Sequence, residues 1–328
     1  MAGHPPRRDH SATLILFLAH RWSAVLGERF LRLRREVQGH GECRVLLHED
    51  HGPVRSAWQA LLEAEGLSGA LEMFEPQRLE AQLGYAMFRP GQLTPGSAHF
   101  PLLELARRHD SAHYWIVEAD VECSRPWGEF FSAFGHSEAD FIASHVRSRA
   151  EHPDWYWWDS LHSADGAGIP PDAQWRAFLP VCRYSRQALS EVDNAHRAGW
   201  LGHFETLVPT VLQRAGLQLC DLRDYSDCCS GTEQDPHEDR TKLSSMRYRP
   251  EVILQELAVR TARPRLLHPV KEGVSVVMTT RNGARFIEEQ LKSLAAQTRQ
   301  PDQLLVVDDC SRDGTVDLVR RFARKSGL

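Results

Sequence analysis

The sequence lacks any apolar run long enough to cross a bilayer. The longest near the N-terminus, Leu14 to Ala19, falls far below the roughly 20 residues that a spanning helix needs. Met1 to His10 is polar and carries Pro and Arg, without the apolar segment and small-residue cleavage site of a secretory signal. Together these absences point to a cytoplasmic protein with at most peripheral membrane contact. The cysteines (Cys43, Cys123, Cys182, Cys220, Cys228, Cys229 and Cys310) are odd in number and show no C-x-x-C spacing. That pattern argues against a disulfide framework or structural zinc and for reduced thiols. The net charge is −5, with no block of like charge. Wrapping a nucleic-acid backbone requires a basic face, so no nucleic-acid partner is expected. A glycine-rich loop is missing too: Leu18-Ala-His-Arg-Trp-Ser23 contains no glycine.

What is present is an ordinary globular composition, 42% hydrophobic and 25% charged over 328 residues. A chain of this length buries a sizeable core in one or two domains. Residues 1–11 read as a disordered lead. Thr13–Ala19 is a continuous apolar run, as a strand of a parallel sheet requires. A helix follows over Ala24–Val37, then a strand over Cys43–His48 that ends in Glu49-Asp50 and a Gly-Pro turn. Helices are expected at Ser56–Glu65 and Leu102–His109, with a short buried strand at Tyr114–Val117. Strands separated by helices imply an α/β fold with a mostly parallel central sheet. Residues 150–175 read as irregular, and Arg186–Ala198 and Thr206–Ala215 as helices. Ser226–Arg249 reads as a polar loop or flap, Glu251–Ala262 as a helix, and Pro264–Gly273 as a connector.

A second strand–turn–helix–strand layout begins at Val274. Val274–Thr280 is a strand, Arg281-Asn-Gly283 a turn, and Arg285–Gln297 a helix with Ile287, Leu291 and Leu294 on one face. Gln303–Val307 is the next strand, ending in Asp308-Asp309, and Ser311–Thr315 opens another helix. Residues 13–50 run through the same order, with about 30 residues from first strand end to acidic residue in both. This suggests two related domains in tandem.

These C-terminal pieces resemble the start of family 2 glycosyltransferases: Val274-Ser-Val-Val-Met-Thr-Thr-Arg-Asn-Gly283, Phe286–Leu294, Gln297-Thr298, and Val306-Val-Asp-Asp-Cys-Ser-Arg-Asp-Gly-Thr315. Most members have Gly where this chain has Cys310. The resemblance implies a GT-A fold, a Rossmann-like sheet with flanking helices, that uses nucleotide-diphosphate sugars. Open α/β sheets bind ligands outside the carboxyl ends of their strands, which is where Thr279 and Asp309 fall. By resemblance, Asp309 recognises uracil or ribose. About 55 residues follow Gly273, much less than a whole domain of this family. The segment is expected to be a fragment, a partial second βαβ unit that is inert by itself. The domain reading is therefore 1–11 lead, 12–271 a complete GT-A-like domain, and 272–328 the start of a second.

Residues 12–271 resemble GT-A transferases more loosely. Tyr114-Trp-Ile-Val-Glu-Ala-Asp-Val121 places Glu118 and Asp120 directly after an apolar strand. GT-A enzymes carry Asp-x-Asp or a variant there, so the resemblance implies that Glu118 and Asp120 hold Mn²⁺ or Mg²⁺. Hard divalent cations bind through one or two carboxylates plus phosphate oxygens. Glu122 is a further candidate. A late His returns to the metal in several GT-A groups, and His268 suits that role, with Lys271 as a phosphate partner. His237 is a weaker competitor. His20 and Arg21 end the first strand, and Asp50 follows the second; all three are nucleotide-binding candidates. An inverting transfer needs one general base at the acceptor hydroxyl, and Glu205 with His203 is placed for it. Each has a plainer reading: strand-end or turn-capping acids, a linker His-Pro, and a first-turn helix acid favoured by the macrodipole. Trp155-Tyr-Trp-Trp158 with Asp159 could wall a sugar ring or simply pack, and Arg147 and Arg149 could contact phosphate or solvent.

The expected function is transfer of a sugar from a nucleotide-diphosphate donor to a glycan or other hydroxyl acceptor, in cell-surface polysaccharide or glycan synthesis. Two alternatives remain at this stage. One is a sugar-phosphate nucleotidyltransferase, against which the glycine-free loop at residues 18–23 counts. The other is a non-catalytic glycan-binding or scaffold domain of the same fold, which Glu-x-Asp in place of Asp-x-Asp leaves open.

Overall fold

The computed structural model describes residues 13–48, 52–224, 228–229, 245–248, 252, 260–271, 275–297, 301 and 303–326. The chain forms two compact units, 1–270 and 271–328.

The first unit opens with β1 (Thr13–Ala19), α1 (Ala24–Glu36), β2 (Glu42–His48), α2 (Gly52–Ala64), β3 (Leu71–Phe74) and α3 (Pro76–Leu83). Next come α4 (Phe100–Ala106), β4 (His113–Glu118), β5 (Glu122–Cys123), α5 (Trp127–Phe134), β6 (Phe141–Ser148) and β7 (Trp175–Ser185). It ends with α6 (Arg186–Arg197), α7 (Phe204–Arg214), β8 (Leu219–Asp221) and β9 (Leu266–Leu267). Seven of these strands form one sheet in the order β3-β2-β1-β4-β7-β6-β8. β3, β2, β1 and β4 run parallel, β7 is antiparallel to β4 and β6, and β8 is parallel to β6. The expected α/β class with a mostly parallel central sheet is what the fold shows.

Strand alternation divides the apolar side chains between two faces. Phe17, Phe30, Trp58, Trp115, Phe130 and Val117 pack on one side, and Leu14, Leu16, Phe100, Tyr114, Ile116 and Leu207 on the other. Both faces are covered, which explains why β1 and β4 read as continuous apolar runs. Ser23 caps α1 by accepting from Leu26 N at 3.1 Å, so the helix begins where the chain leaves β1.

β6 and β7 have no counterpart in the expected elements. Each carries Arg within its run, and β7 also carries Pro180, which argues against a central strand. Pairing with β4 stops at Val181, so nothing on that side requires an N–H from residue 180. The register with β6 also shifts near this point. Arg183 stays buried because its Nη2 donates to Ser137 O at 2.8 Å and Ala139 O at 2.6 Å. The expected irregular stretch at 150–175 holds two short 3₁₀ turns. Most of the expected helix Glu251–Ala262 and of the loop Ser226–Arg249 lies outside the described residues, and residues 260–262 are not helical.

The second unit holds β10 (Ser275–Thr280), α8 (Ala284–Ala295), β11 (Gln303–Asp308) and α9 (Thr315–Ser326), with β10 and β11 parallel. Ile287 and Leu291 of α8 are buried, while Val277, Leu305 and Val307 are exposed on one face of the two-stranded sheet. Two turns lock together at the strand ends. Gly283 N donates to Thr315 Oγ1 at 2.8 Å, Ala284 N to Asp313 at 3.0 Å, and Arg312 N to Asn282 Oδ1 at 2.8 Å.

Cys310 has φ of 53°, a left-handed backbone that glycine adopts without steric cost and other residues do not. This is the turn position at which the resembling family has glycine. Cys310→Gly is expected to stabilise the second unit by about 0.5–1 kcal/mol, less whatever the extra freedom of the unfolded chain takes back. Hydrogen exchange on the amides of residues 275–297 would slow. Unchanged or faster exchange would refute a backbone cost at this turn.

Candidate functional site

The end of β4 builds the site. Glu118 is its last residue, facing Leu18 in the parallel register with β1. Ala119 N continues the ladder by donating to Leu18 O at 3.1 Å. Val121 N then turns back to Glu118 O at 3.0 Å, and the chain enters β5. β5 pairs antiparallel with β9, Glu122 opposite Leu267 and Cys123 opposite Leu266. That short pairing carries the far end of the unit back to the sheet edge. Val270 N donates to Asp120 O at 2.7 Å, and His268 comes to lie beside both acids.

His268 Nε2 is 3.3 Å from Asp120 and 3.6 Å from Glu118. One ligand atom from each of the three lies within 4.8 Å of the others. The imidazole is held from behind: Nδ1 is 2.7 Å from Arg247 O, a carbonyl, so Nδ1 carries the proton and donates. Its backbone is bridged to Met246, and its ring meets Phe178 edge to face at 5.4 Å. Nε2 is thereby aimed at the two carboxylates. Burial alone would push the His268 pKa down, but Asp120 and Glu118 outweigh it and raise it to about 9. Without a cation the imidazole is therefore protonated at pH 7 and bridges the acids. The donor set, two carboxylates and an imidazole with its second nitrogen fixed by a carbonyl, fits Mn²⁺ or Mg²⁺.

Helix α1 braces this loop. Arg29 Nη1 donates to Ala119 O at 3.1 Å and Val270 O at 3.0 Å, joining the two segments that carry the ligands. Glu122 is committed elsewhere: it pairs with Arg29 at 2.7 Å and Arg32 at 3.0 Å, so it serves the brace and stands outside the ligand set. Arg32 also donates to Cys123 O and Arg125 O, each at 3.0 Å.

The other candidates are spread more widely. His20 is exposed and Arg21 half-buried at the carboxyl end of β1, where Arg21 O accepts from Trp58 Nε1 at 3.1 Å. Asp50 and His237 lie outside the described residues. His203 and Glu205 are buried at the start of α7. His203 caps the helix by accepting from Glu205 N at 3.4 Å, and its ring stacks on Trp157 at 4.3 Å. Phe204 between them lines a small cavity together with Glu118. Trp155 and Trp158 are buried, with Arg176 over Trp155 at 4.1 Å, so this pair packs and only Tyr156 is well exposed. Arg147 pairs with Asp221 at 3.2 Å and Arg149 with Asp159 at 3.7 Å.

Lys271 is exposed and is the first residue of the second unit. In that unit Thr279 is exposed on β10. Asp308 does the capping that its neighbour was also a candidate for, accepting from Ser311 N at 2.8 Å and Thr280 Oγ1 at 2.9 Å. Asp309 is left exposed, paired with Arg281 at 3.1 Å.

Residues 275–328 match the family model of glycosyl transferase family 2. No curated protein matches the sequence. Solved structures with some likeness include glucosyl-3-phosphoglycerate synthase from Mycobacterium tuberculosis with Mn²⁺, UDP-glucose and phosphoglyceric acid. It is 13% identical and covers 77% of this chain and 80% of its own, at a TM-score of 0.37. The galactosyltransferase LgtC with donor and acceptor sugar analogues is 13% identical over 63% and 72%, also at 0.37. A mycobacterial protein is 15% identical over 78% and 75%, at 0.38. Likenesses this distant carry no argument about what the chain does. The family 2 match covers the second unit, and the metal-type cluster lies in the first.

Sequence reasoning missed Arg29 and His145. Arg29 looks like one of several solvated helix cations. His145 takes φ of 53° inside β6, and its ring lies 6.1 Å from Phe178, which touches His268. Strain of this sort marks functional neighbourhoods, and no sequence pattern announces it.

Two outcomes are expected. Because a divalent cation must replace the His268 proton, titrating Mn²⁺ at pH 7 should release close to one proton, and affinity should rise as pH climbs toward 9 and then level. Calorimetry in two buffers of different ionisation enthalpy measures this, and a heat independent of buffer would sink the exchange. Arg29→Leu strips two carbonyls of a charged donor and should cost about 1.5–3 kcal/mol in urea unfolding; a cost within error of zero would show that the brace is idle.

Proposed function

We propose that the first unit is a metal-assisted glycosyltransferase domain of GT-A type, which moves a sugar from a nucleotide-diphosphate donor to a hydroxyl acceptor. One observation carries this reading: Glu118, Asp120 and His268, some 150 residues apart in sequence, supply ligand atoms within 4.8 Å of one another at the carboxyl end of a central parallel strand. Open α/β sheets bind their ligands at that edge. The family 2 match of residues 275–328 supports sugar transfer as the chemistry of the chain.

In this reading Glu118, Asp120 and His268 would hold Mn²⁺ or Mg²⁺. When bound, the cation offsets the charge that builds on the departing nucleoside diphosphate. The rest falls to the chain's own side chains. His20 and Arg21 stand at the mouth of β1, where Arg21 offers a planar donor to phosphate. Asp50 accepts from the base or ribose, and Lys271 provides a point charge for the diphosphate. Glu205 takes the proton from the acceptor hydroxyl, and the His203 ring beside it, 3.8 Å from its carboxylate, orients it. In the second unit Thr279 and Asp309 would contact a nucleotide in the way the family resemblance implies. A cytoplasmic setting, contact with a membrane-borne acceptor, and a role in cell-surface polysaccharide synthesis complete the proposal. Among the described residues no helix is long and apolar enough to cross a membrane.

The test is calorimetric titration of UDP and GDP, with and without Mn²⁺, on the wild type and on Asp120→Ala. Mn²⁺-dependent binding should appear in the wild type and fall at least tenfold in the variant, with the preferred base narrowing the donor. If neither nucleotide binds under any condition, the domain is not a donor-using transferase.

A further inference from the structure

Behind Glu118 lies a cluster that neither the ligand set nor the acceptor-side candidates use. His99 and His196 are both buried, 4% and 3% exposed, and their Nε2 atoms are 2.8 Å apart. Tyr85 stacks on His196 at 5.1 Å, and Phe204 lies parallel to His99 at 6.0 Å. Proton positions in this pair follow from the partners. His196 Nδ1 is 3.1 Å from Trp200 O, a carbonyl that only accepts, so Nδ1 carries a proton. Burial holds both rings well toward the neutral form, His196 down to about 4 and His99 well below its usual range. A neutral His196 that donates from Nδ1 has a bare Nε2. His99 must therefore donate from its own Nε2 across the 2.8 Å contact. That leaves His99 Nδ1 as a bare acceptor. It is buried and has no hydrogen-bond partner among the described residues.

A buried acceptor left unmet is costly, so its surroundings matter. His99 lines a small cavity, of about 10 Å³, together with Glu118, Tyr184, Cys182, Phe204 and Leu18. One water needs about that much space. Most of the wall is apolar. An acceptor nitrogen without a partner among the described residues and a carboxylate share this wall, and a water with its two O–H bonds can serve both.

We propose that this cavity is a hydroxyl-donor site in which one buried water donates to His99 Nδ1 and to the Glu118 carboxylate, so that His99 is a positioning residue for Glu118. The His196–His99 relay fixes which His99 nitrogen is bare. The water passes that fixed geometry to the carboxylate, whose other oxygen is left for the cation. This rests on the metal reading of Glu118 proposed above; the water itself does not. Outer partners that orient a metal ligand commonly change metal affinity 10–100-fold when removed.

The experiment has two arms. A crystal structure of the full chain at a resolution that shows waters should reveal ordered density within hydrogen-bond distance of both His99 Nδ1 and a Glu118 oxygen. A dry cavity, or a water that touches neither, overturns the inference. The second arm measures Mn²⁺ affinity by calorimetry in His99→Phe, which removes the acceptor, and in Ala98→Val, which crowds the cavity from a wall residue and spares the nitrogen. Each folded variant should bind Mn²⁺ about tenfold more weakly than the wild type. If His99→Phe does not fold, Ala98→Val carries the test alone. Wild-type affinity in the folded variants overturns the positioning role. If the wild type binds no Mn²⁺, the metal reading fails, and the crystallographic water alone decides this inference.

Discussion

The site depends on one electrostatic constraint. Two carboxylates and an imidazole are forced within 4.8 Å of one another where water reaches them only in part. Their side chains are 31%, 17% and 7% exposed for Glu118, Asp120 and His268. Two like charges this close repel, and partial burial sharpens the repulsion. The fold answers with a proton on His268, the smallest positive charge available. A proton neutralises one unit, whereas a divalent cation would offset both carboxylates. The same repulsion that would weaken a purely structural cluster is what a hard cation would relieve.

Holding such a cluster together requires force from elsewhere, and α1 supplies it. Arg29 reaches two carbonyls that belong to segments about 150 residues apart, and Glu122 offsets the charge that Arg29 and Arg32 bring inside. A carbonyl is a weak partner, but two carbonyls and a carboxylate around one guanidinium make a fixed fork. Arg29 therefore sets the distance between the β4 end and the β9 end, and with it the distance between Asp120 and His268. Helix, strand end and returning segment act as a single mechanical piece.

Much of this was legible in the sequence, for reasons that differ by residue. β1 and β4 declare themselves because both of their faces are covered, so their apolar runs are unbroken. Glu118 and Asp120 were singled out through the GT-A resemblance at the end of an apolar strand, and the structure brings both beside His268. His268 was chosen only through resemblance; nothing local distinguishes it from a linker His-Pro, and its role comes from the β5–β9 pairing. β7 was invisible because buried Arg176 and Arg183 and Pro180 look like loop residues until Trp155 and the carbonyls at 137 and 139 are seen to receive the two arginines, and β6 because Arg147 interrupts its run until Asp221 is seen to pair with it. Arg29 and His99 were invisible for a related reason: their partners, two carbonyls and Glu122 for the first and a second histidine for the other, lie far away in sequence. In the second unit the family pattern extends even to Cys310, where the left-handed turn explains the expected glycine.

The glutamate at position 118 bears on whether the first unit kept its chemistry. Read as a pattern, Glu-x-Asp looks like a worn Asp-x-Asp. The structure gives the extra methylene a use. Residue 118 is the last residue of β4, on the face of the sheet that also carries Tyr114 and Ile116, and its side chain lines the cavity on that face while its carboxylate reaches His268 at 3.6 Å. An aspartate at the same backbone position would end about 1.5 Å short, beyond contact with the imbalance it has to share. Asp120 lies past the turn, nearer the returning strand, and reaches the same nitrogen at 3.3 Å with the shorter arm. The two acids differ in length because they start from different depths and converge on one point. The longer side chain of Glu118 is thus part of how the two acids and His268 come together.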